Sequence, residues 1–518
     1  MATYYVDPEN GLEANDGLTT GTPWKLIPGQ TGSHTVVNND TINIKNGTYS
    51  TGGIISVPNN GLTYQGYGVA SNVLYINLPG DDVSQLVNTK VVRTAGSHEG
   101  MWVLDMRGLS GVGISIPIAR SNTTMTDFHV LCNSTNSTGI VCGSSSATDA
   151  NPGAVFRRFM VSGAGGAGFS GYKHDITMEY GRLSRASQDL CVFGSTVLNL
   201  YRAGSVDVVR YMHYEFPNTT WDDLPLPATG DCVQLFHKTG RNEANYTFSD
   251  LFFHKRDNSK QTMLLMDGTG GISVKRFHVV SDRPDSQCGF MLNDIRGSIL
   301  IERGYWAGNN TQQCIRVRSS SNLPAQILAT GASITIRHVV RNGSNLIPFF
   351  DTGDDNVTEL DGTVLIENCT MMGNQDQFAG TVGTINVSGN PTTFGANFNI
   401  TARNCAFTQS GVHINMASGG ANNSKWVFTK NYYSPIATFK IGATVYNTLT
   451  EFNAAHSFST SSLNSGETYL NVNGVPTNTN SVLKSAGTHL GYRRDLCGVQ
   501  MYNPPSIGAC EYRRDRGT

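Results

Sequence analysis

The stretch Ile272-Ser-Val274-Lys-Arg-Phe277-His-Val279 reads as two short alternating runs hinged on a polar pair. Period-2 alternation puts Ile272 and Val274, and again Phe277 and Val279, on the buried side of an extended chain. Lys275 and Arg276 then form a tight bend facing water. The pattern recurs in Val206-Asp-Val208-Val-Arg-Tyr211-Met-His213 and in Tyr246-Thr-Phe248-Ser-Asp-Leu251-Phe-Phe253. It also fits Val364-Leu-Ile366-Glu-Asn-Cys369-Thr-Met371 and, more loosely, Ile299-Leu-Ile301-Glu-Arg-Gly304-Tyr-Trp306. Further copies centre on Met125, Phe156, Met178, Ile336, Ala402 and Phe428. Successive centres lie roughly 22 to 40 residues apart, the spacing of solenoid coils with variable loops. One coil cannot bury its apolar side alone, so coils must stack about 4.8 Å apart.

A second ladder reads Asp231-Cys232-Val-Gln-Leu, Gln287-Cys288-Gly-Phe-Met and Gln313-Cys314-Ile-Arg-Val, with Cys191 and Gln261-Thr-Met-Leu-Leu as variants. None of these cysteines has Cys-x-x-Cys metal spacing, and they read as small buried stacking residues. Cys369 and Cys405 repeat the idea on the first ladder; Cys497 and Cys510 in the tail leave a disulfide open. Side-chain types in register across coils favour parallel stacking over a sandwich or propeller, which would show hairpin signals at short, even spacing. The expected fold is all-β: a single-stranded right-handed parallel β-helix, one solenoid with capped ends.

Composition agrees. With 57 Gly and only 15% charged residues, the chain suits short strands and many turns. A formal net charge of −2 gives no basic field for nucleic acid. No apolar run approaches the roughly 18–20 residues that span a bilayer. Asn-x-Ser/Thr sequons at Asn46, Asn122, Asn218, Asn245 and Asn368 are no more than chance gives in so Asn- and Thr-rich a chain. Nothing in the sequence calls for a metal or cofactor.

The ends carry a resemblance. Residues 3–26, Thr-Tyr-Tyr-Val-Asp-Pro through Pro-Trp-Lys-Leu, with Asn-Asp-Thr-Ile-Asn-Ile-Lys-Asn-Gly-Thr-Tyr at 39–49, resemble the opening of pectate-lyase-like right-handed β-helix proteins. The tail from Tyr492-Arg-Arg-Asp495 to Glu511-Tyr resembles their closing segment. One departure stands out: residues 27–38 contain Pro and Gly where the family carries a plug helix, so the N-terminal cap must be irregular or supplied by another chain. The group acts on acidic or complex polysaccharides, and this chain looks most like a bacteriophage tailspike or capsule depolymerase. The resemblance implies a homotrimer, a bacterial surface polysaccharide as ligand, and phage tail or baseplate proteins as partners. The opening Met-Ala-Thr-Tyr-Tyr-Val has neither a basic n-region nor an apolar h-region. The expectation is a virion protein folded in the host cytoplasm, with an extracellular enzyme as the alternative. The expected organisation is a cap and first strands over residues 1–50 and coils over 51–430 with a groove-wall insertion at 214–230. Residues 431–518 fit the ladder poorly and read as a C-terminal cap or trimerisation segment.

Chemistry is expected on the outward edge of the central coils. The insertion at 214–230 offers Trp221 for stacking on sugar and the carboxylates Glu215, Asp222 and Asp223, against the plainer reading of a surface excursion. The strands after the cysteine ladder end in His237-Lys238, Asp267, Asn293-Asp294 and Arg316/Arg318. Asp267 and Asp294, in neighbouring coils, are expected about 5–10 Å apart. A hydrolase needs two carboxylates roughly 5–5.5 Å apart for retention or 6.5–9.5 Å for inversion. The candidate catalytic set is Asp267, Asp294, Asp231 and Glu215. His237, Lys238, Trp221, Asp222, Asp223, Arg316 and Arg318 are the candidate binding residues. Acids that cap turns and pair with neighbouring cations are the plainer reading of each one. Hydrolysis is favoured over β-elimination, for which Lys238, His254-Lys255-Arg256, Arg276 and Arg283 offer bases. A virion fibre that grips a glycan without cutting it is the non-enzymatic alternative.

Overall fold

The computed structural model describes residues 1–50, 53–68, 101–132, 137–144, 153–173, 175–186, 189–195, 206–216, 231–237, 246–255, 264–267, 270–281, 288–308, 313–318, 326–343, 348–352, 359–372, 384–387, 393–408, 411–416, 426–456, 459–471, 474–496 and 499–511. They fall into two compact units, one with described residues up to Lys255 and one from Leu264 onward. Each unit is a parallel β-helix. Among the described residues no helix is long and apolar enough to cross a membrane.

In the N-terminal unit one sheet runs through Thr123–Leu131, Ala154–Ala164, Ile176–Ala186, Asp207–Phe216 and Tyr246–Lys255, each parallel to the next. A second sheet stacks Gly111–Ile116, Ser137–Cys142, Phe169–Gly171, Cys191–Ser195 and Val233–His237. The C-terminal unit repeats this. Its first sheet runs from Ile272–Ser281 through Ser298–Gly308 and Ser333–Asn342 to Thr363–Glu367, Asn399–Arg403 and Trp426–Thr429. A small third sheet, Gln326–Leu328, Glu359–Leu360 and Thr393–Phe394, lines one corner.

The register explains the repeat. Met125, Phe156, Met178, Val209 and Phe248 stand in line in the first unit, and Val274, Ile301, Ile336, Ile366, Ala402 and Phe428 in the second. All are fully buried. Val274 and Phe277 are three residues apart and would face opposite sides of a straight strand. They share the core because the second residue of the bend is left-handed in each of these coils. In the first unit these are Asp127, Arg158, Tyr180, Tyr211 and Asp250, with φ of 50° to 59°. In the second they are Arg276, Arg303, His338, Asn368, Asn404 and Lys430, with φ of 48° to 56°. A left-handed residue costs roughly 1–2 kcal/mol when it is not Gly. The burial of both flanking runs offsets it at about 1.5–3 kcal/mol per large apolar side chain.

Two readings of the ladders need correction. The copy at 206–213 is shifted by one residue: Asp207, Val209, Met212 and Tyr214 face inward, while Val206 is exposed. The two ladders' cysteines also differ. Cys369 and Cys405 do follow one another, with their thiols near Ile336 O and Ile366 O of the preceding coil. On the second ladder Cys191 pairs with Val233 rather than Cys232, and Cys288 with Gln313 rather than Cys314. Cys191, Cys232 and Cys314 are buried, and the registers make the ladder's cysteine positions adjacent, not equivalent. Cys510 is buried and Cys497 lies outside the described residues.

The N-terminal segment is irregular, as the Pro and Gly of residues 27–38 dictate. Trp24 is stacked between Tyr4 and His34 at 4.4 Å on each side. Asp7 accepts from the Glu9 and Asn10 N–H groups, and Glu13 from those of Lys25 and Leu26. At the other end Ala437–Ile441 pairs antiparallel with Thr444–Tyr446. The short helix Leu449–Ala455, capped by Thr448, stacks Phe452 on Phe439 at 4.5 Å. Both elements blunt the last strand edge. The following tail packs back on the coils, with Leu483 and Ile507 clustering on Ala406 and Tyr432.

Candidate functional site

The second sheet of the C-terminal unit presents the polar face that the sequence pointed to. Its strands are Leu264–Asp267, Cys288–Asn293, Gln313–Arg318, Phe350–Asp351, Ile385–Val387, Gly411–Met416 and Ala437–Ile441. Phe290, Leu292, Ile315, Val317, Phe350, Ile385, Val387, Ile414 and Met416 fill the core. Alternation therefore turns Asn293, Arg316, Arg318, Asp351, Asn386 and Asn415 outward.

Those outward residues are chained from coil to coil. The Asn415 amide donates to Asn386 Oδ1 at 2.7 Å, and the Asn386 amide to Asp351 Oδ1 at 2.6 Å. Arg316 Nε lies 3.7 Å from the other Asp351 oxygen. Beside this row Arg318 Nε donates to Asn293 Oδ1 at 3.2 Å. Asp351, Asn386 and Asn415 are buried, whereas Arg316 and Arg318 are half-buried. The strip is thus a hydrogen-bonded base that holds two partly open guanidinium groups. A guanidinium presents a planar fork of donors suited to a carboxylate.

The expected carboxylate pair does not form. Asp267 ends its strand opposite Asn293, so Asp294 falls one residue past the match. Asp294 is fully buried at a left-handed bend, with φ of 49° and its N–H donating to Arg318 O at 3.2 Å. It turns the chain between sheets and does not reach the outer face. Asp231, in the N-terminal unit, is also buried. Its N–H donates to Asp189 Oδ1 at 2.8 Å and its carbonyl accepts from Leu190, which makes it a bend that stitches two coils. Burial pushes the Asp189 carboxyl up. Glu215 belongs to a strand and not to the insertion: it pairs with Ser184 and His254, and its neighbour Tyr214 is fully buried. His237 closes the strand Val233–His237 opposite Ser195. Lys238, Trp221, Asp222 and Asp223 lie outside the described residues, as do Arg256 and Arg283. His254 is buried in the first sheet, and Arg276 is a left-handed bend residue of the other sheet.

Of the expected site residues the structure brings Arg316 and Arg318 to one face beside Asn293, and Asp267 ends the strand that pairs with Asn293. Sequence reasoning missed Asp351, Asn386 and Asn415. Their signal was present in Phe350-Asp351, Ile385-Asn386-Val387 and Ile414-Asn415-Met416, an apolar residue followed by an acid or amide at the same place in three coils.

No family model matches the chain, and no curated protein matches it. Similar solved structures include a mannuronic acid specific polysaccharide family 6 lyase from human gut microbiota. That comparison has 9% identity and a TM-score of 0.46 and covers 90% of this chain and 92% of the other. A GH136 lacto-N-biosidase from Eubacterium ramulus is similar at 10% identity over 67% of this chain, with a TM-score of 0.38. The chain spans 65% of that enzyme's length. An alginate lyase from Paenibacillus is similar at 12% identity, with a TM-score of 0.29, over 68% of this chain and 93% of its own.

Proposed function

We propose that the protein binds an anionic bacterial surface polysaccharide (capsule, O-antigen or exopolysaccharide) across Arg316 and Arg318 and depolymerises it. The observation that carries this reading is the pair of partly open guanidinium groups held on the outer face by Asp351 and Asn293. Coils about 4.8 Å apart give a long, regular surface on which a polymer can lie lengthwise.

β-Elimination fits this site better than hydrolysis. With Asp294 buried in a bend, the face no longer carries the Asp267–Asp294 pair that a two-carboxylate hydrolysis was to use. Cations on a uronate carboxylate favour the other chemistry. They neutralise the carboxylate and acidify the adjacent C5–H. A base takes that proton, the C4–C5 double bond forms, the C4–O bond breaks, and the departing oxygen is protonated. Placement on a phage tail as a homotrimeric tailspike belongs to the same proposal and is supported by the Asn-, Gly- and Thr-rich coils.

Incubation with purified capsular and lipopolysaccharide glycans tests it. Ultraviolet absorbance of unsaturated uronate and new reducing ends should rise together while the polymer shortens. Reducing ends without that absorbance would return the reading to hydrolysis. Binding with no cleavage at all would make the protein a glycan-gripping fibre.

A further inference from the structure

The N-terminal unit carries a polar cluster of its own. The strand Trp102–Asp105 lies parallel to the second half of Thr123–Leu131, and that half lies parallel to the second half of Ala154–Ala164. Phe128, Val130, Phe159 and Val161 fill the core, so alternation turns His129, Leu131 and Ser162 outward. Asp105 pairs with Leu131 and Leu131 with Ser162, while His129 stands two residues before Leu131 on the same face. An acid, an imidazole and a hydroxyl therefore follow one another on three successive coils.

Ser162 Oγ lies 2.7 Å from His129 Nε2. With the ring proton on Nδ1, the imidazole accepts from the serine hydroxyl. His129 is 2% exposed, whereas Ser162 is half-buried. The imidazole is thus shielded from water, and the serine is partly open to the outer face. Asp105 is fixed by Arg107, whose N–H, Nε and Nη2 donate to its carboxylate at 3.0, 2.9 and 2.8 Å. Those bonds hold the Asp105 carboxyl below its usual range, and His129 adds to the effect from the next coil. A charged carboxylate near the ring favours the imidazolium that forms when the hydroxyl gives up its proton. A hydroxyl bonded to an imidazole, with a carboxylate at hand, is the arrangement of an acyl-transfer nucleophile.

We propose that Ser162 and His129, with Asp105 as positioning residue, hydrolyse an acyl ester, the substrate being the O-acetyl groups of a glycan. The choice of a glycan rests on the proposed polysaccharide ligand; the relay itself does not. Ser162 Oγ attacks the acetyl carbon and gives its proton to His129 Nε2. The bond from the acetyl carbon to the sugar oxygen breaks, and His129 protonates that oxygen. Water then attacks the acetyl-serine and gives a proton to His129, acetate leaves, and the proton returns to Ser162 Oγ. The full chain is incubated with p-nitrophenyl acetate, with O-acetylated pectin and, separately, with diisopropyl fluorophosphate. Both esters should be cut, and peptide mass spectrometry should find the phosphoryl adduct on Ser162. Ser162→Ala should lower p-nitrophenyl acetate hydrolysis about a hundredfold or more. Asp105→Asn should lower kcat about tenfold or more at an unchanged KM, a split that loosened packing would not give. Cleavage of p-nitrophenyl acetate without that of pectin would support the relay and overturn the glycan as its substrate. A wild-type chain that cuts neither ester and takes no label on Ser162, or a folded Ser162→Ala that keeps the wild-type rate, overturns the proposal. Labelling of the wild type decides the matter even where a variant fails to fold.

Discussion

The Arg316 guanidinium lies 3.7 Å from Asp351 Oδ2, one coil away, while the other Asp351 oxygen accepts from Asn386 at 2.6 Å. At that distance the ion pair is not a hydrogen bond. Asp351 positions Arg316, but its charge also competes with an anionic glycan. Asp351→Asn keeps an acceptor for Asn386 and removes the competition. Calorimetric titration should show the anionic polysaccharide binding a few-fold more tightly at low salt, with the gain fading at high salt. Unchanged affinity at both would remove Arg316 from the binding surface.

Asn404 ties the tail to the coils. Its amide donates to Asn368 Oδ1 at 3.1 Å and to Thr488 O at 2.7 Å, and its Oδ1 accepts from Thr488 N–H at 2.9 Å. Its own φ is 55°, where Asn is tolerated better than Ala. Asn404→Ala should cost about 2–4 kcal/mol in denaturant unfolding. It should also make the tail after residue 462 an early protease target. A loss below about 0.5 kcal/mol would show that the tail is held by its apolar contacts alone.

Glu179 is shared by two arginines of adjacent coils, with Arg157 Nε at 2.9 Å and Arg210 Nε at 2.7 Å. The carboxylate is buried, but both guanidinium groups are nearly half exposed, so water screens the pair. Glu179→Gln should therefore cost only about 1 kcal/mol, and the difference should shrink as salt rises. Thermal melts at two salt concentrations measure it.

Two buried groups should give stability opposing pH dependences. Burial raises the Asp207 carboxyl to about 8, although the Ile176 N–H donates to it at 2.7 Å. The folded state keeps a proton that the unfolded chain sheds from about pH 4 upward, so stability drops as pH rises toward about 8. Asp207→Asn removes that titration, and its stability relative to wild type should improve between about pH 5 and pH 8. Burial lowers His338 to about 4. The unfolded chain then binds a proton first, and stability is lost as pH falls from about 6.5 toward 4. His338→Gln removes that loss, and its stability relative to wild type should improve between about pH 6.5 and pH 4. Denaturant midpoints across the range check both variants.

The repeat was legible because burial and bend recur together. Ile272, Val274, Phe277 and Val279 announce a coil by themselves. Register was less legible. At 206–213 the adjacent valines Val208 and Val209 fit the template equally well, and Asp207 in a core position disguised the true frame. One such slip moves every side chain to the other face, and the one-residue offset between Asp267 and Asp294 separated the expected carboxylates in the same way. Asp351, Asn386 and Asn415 meet only because coils of unequal length return to the same face. The folded-back tail left a faint trace: Val340, Ala406 and Tyr432 occupy positions that alternation turns outward, yet all are buried.

The rate at which unsaturated uronate appears on a susceptible anionic polysaccharide, for wild type against Arg316→Gln with Arg318→Gln, decides whether this strip cleaves the glycan. Losing two charge-assisted contacts should lower that rate about a hundredfold or more, with the melting temperature unchanged. A double variant that folds and cuts at the wild-type rate would contradict the assignment of this face as the site of depolymerisation.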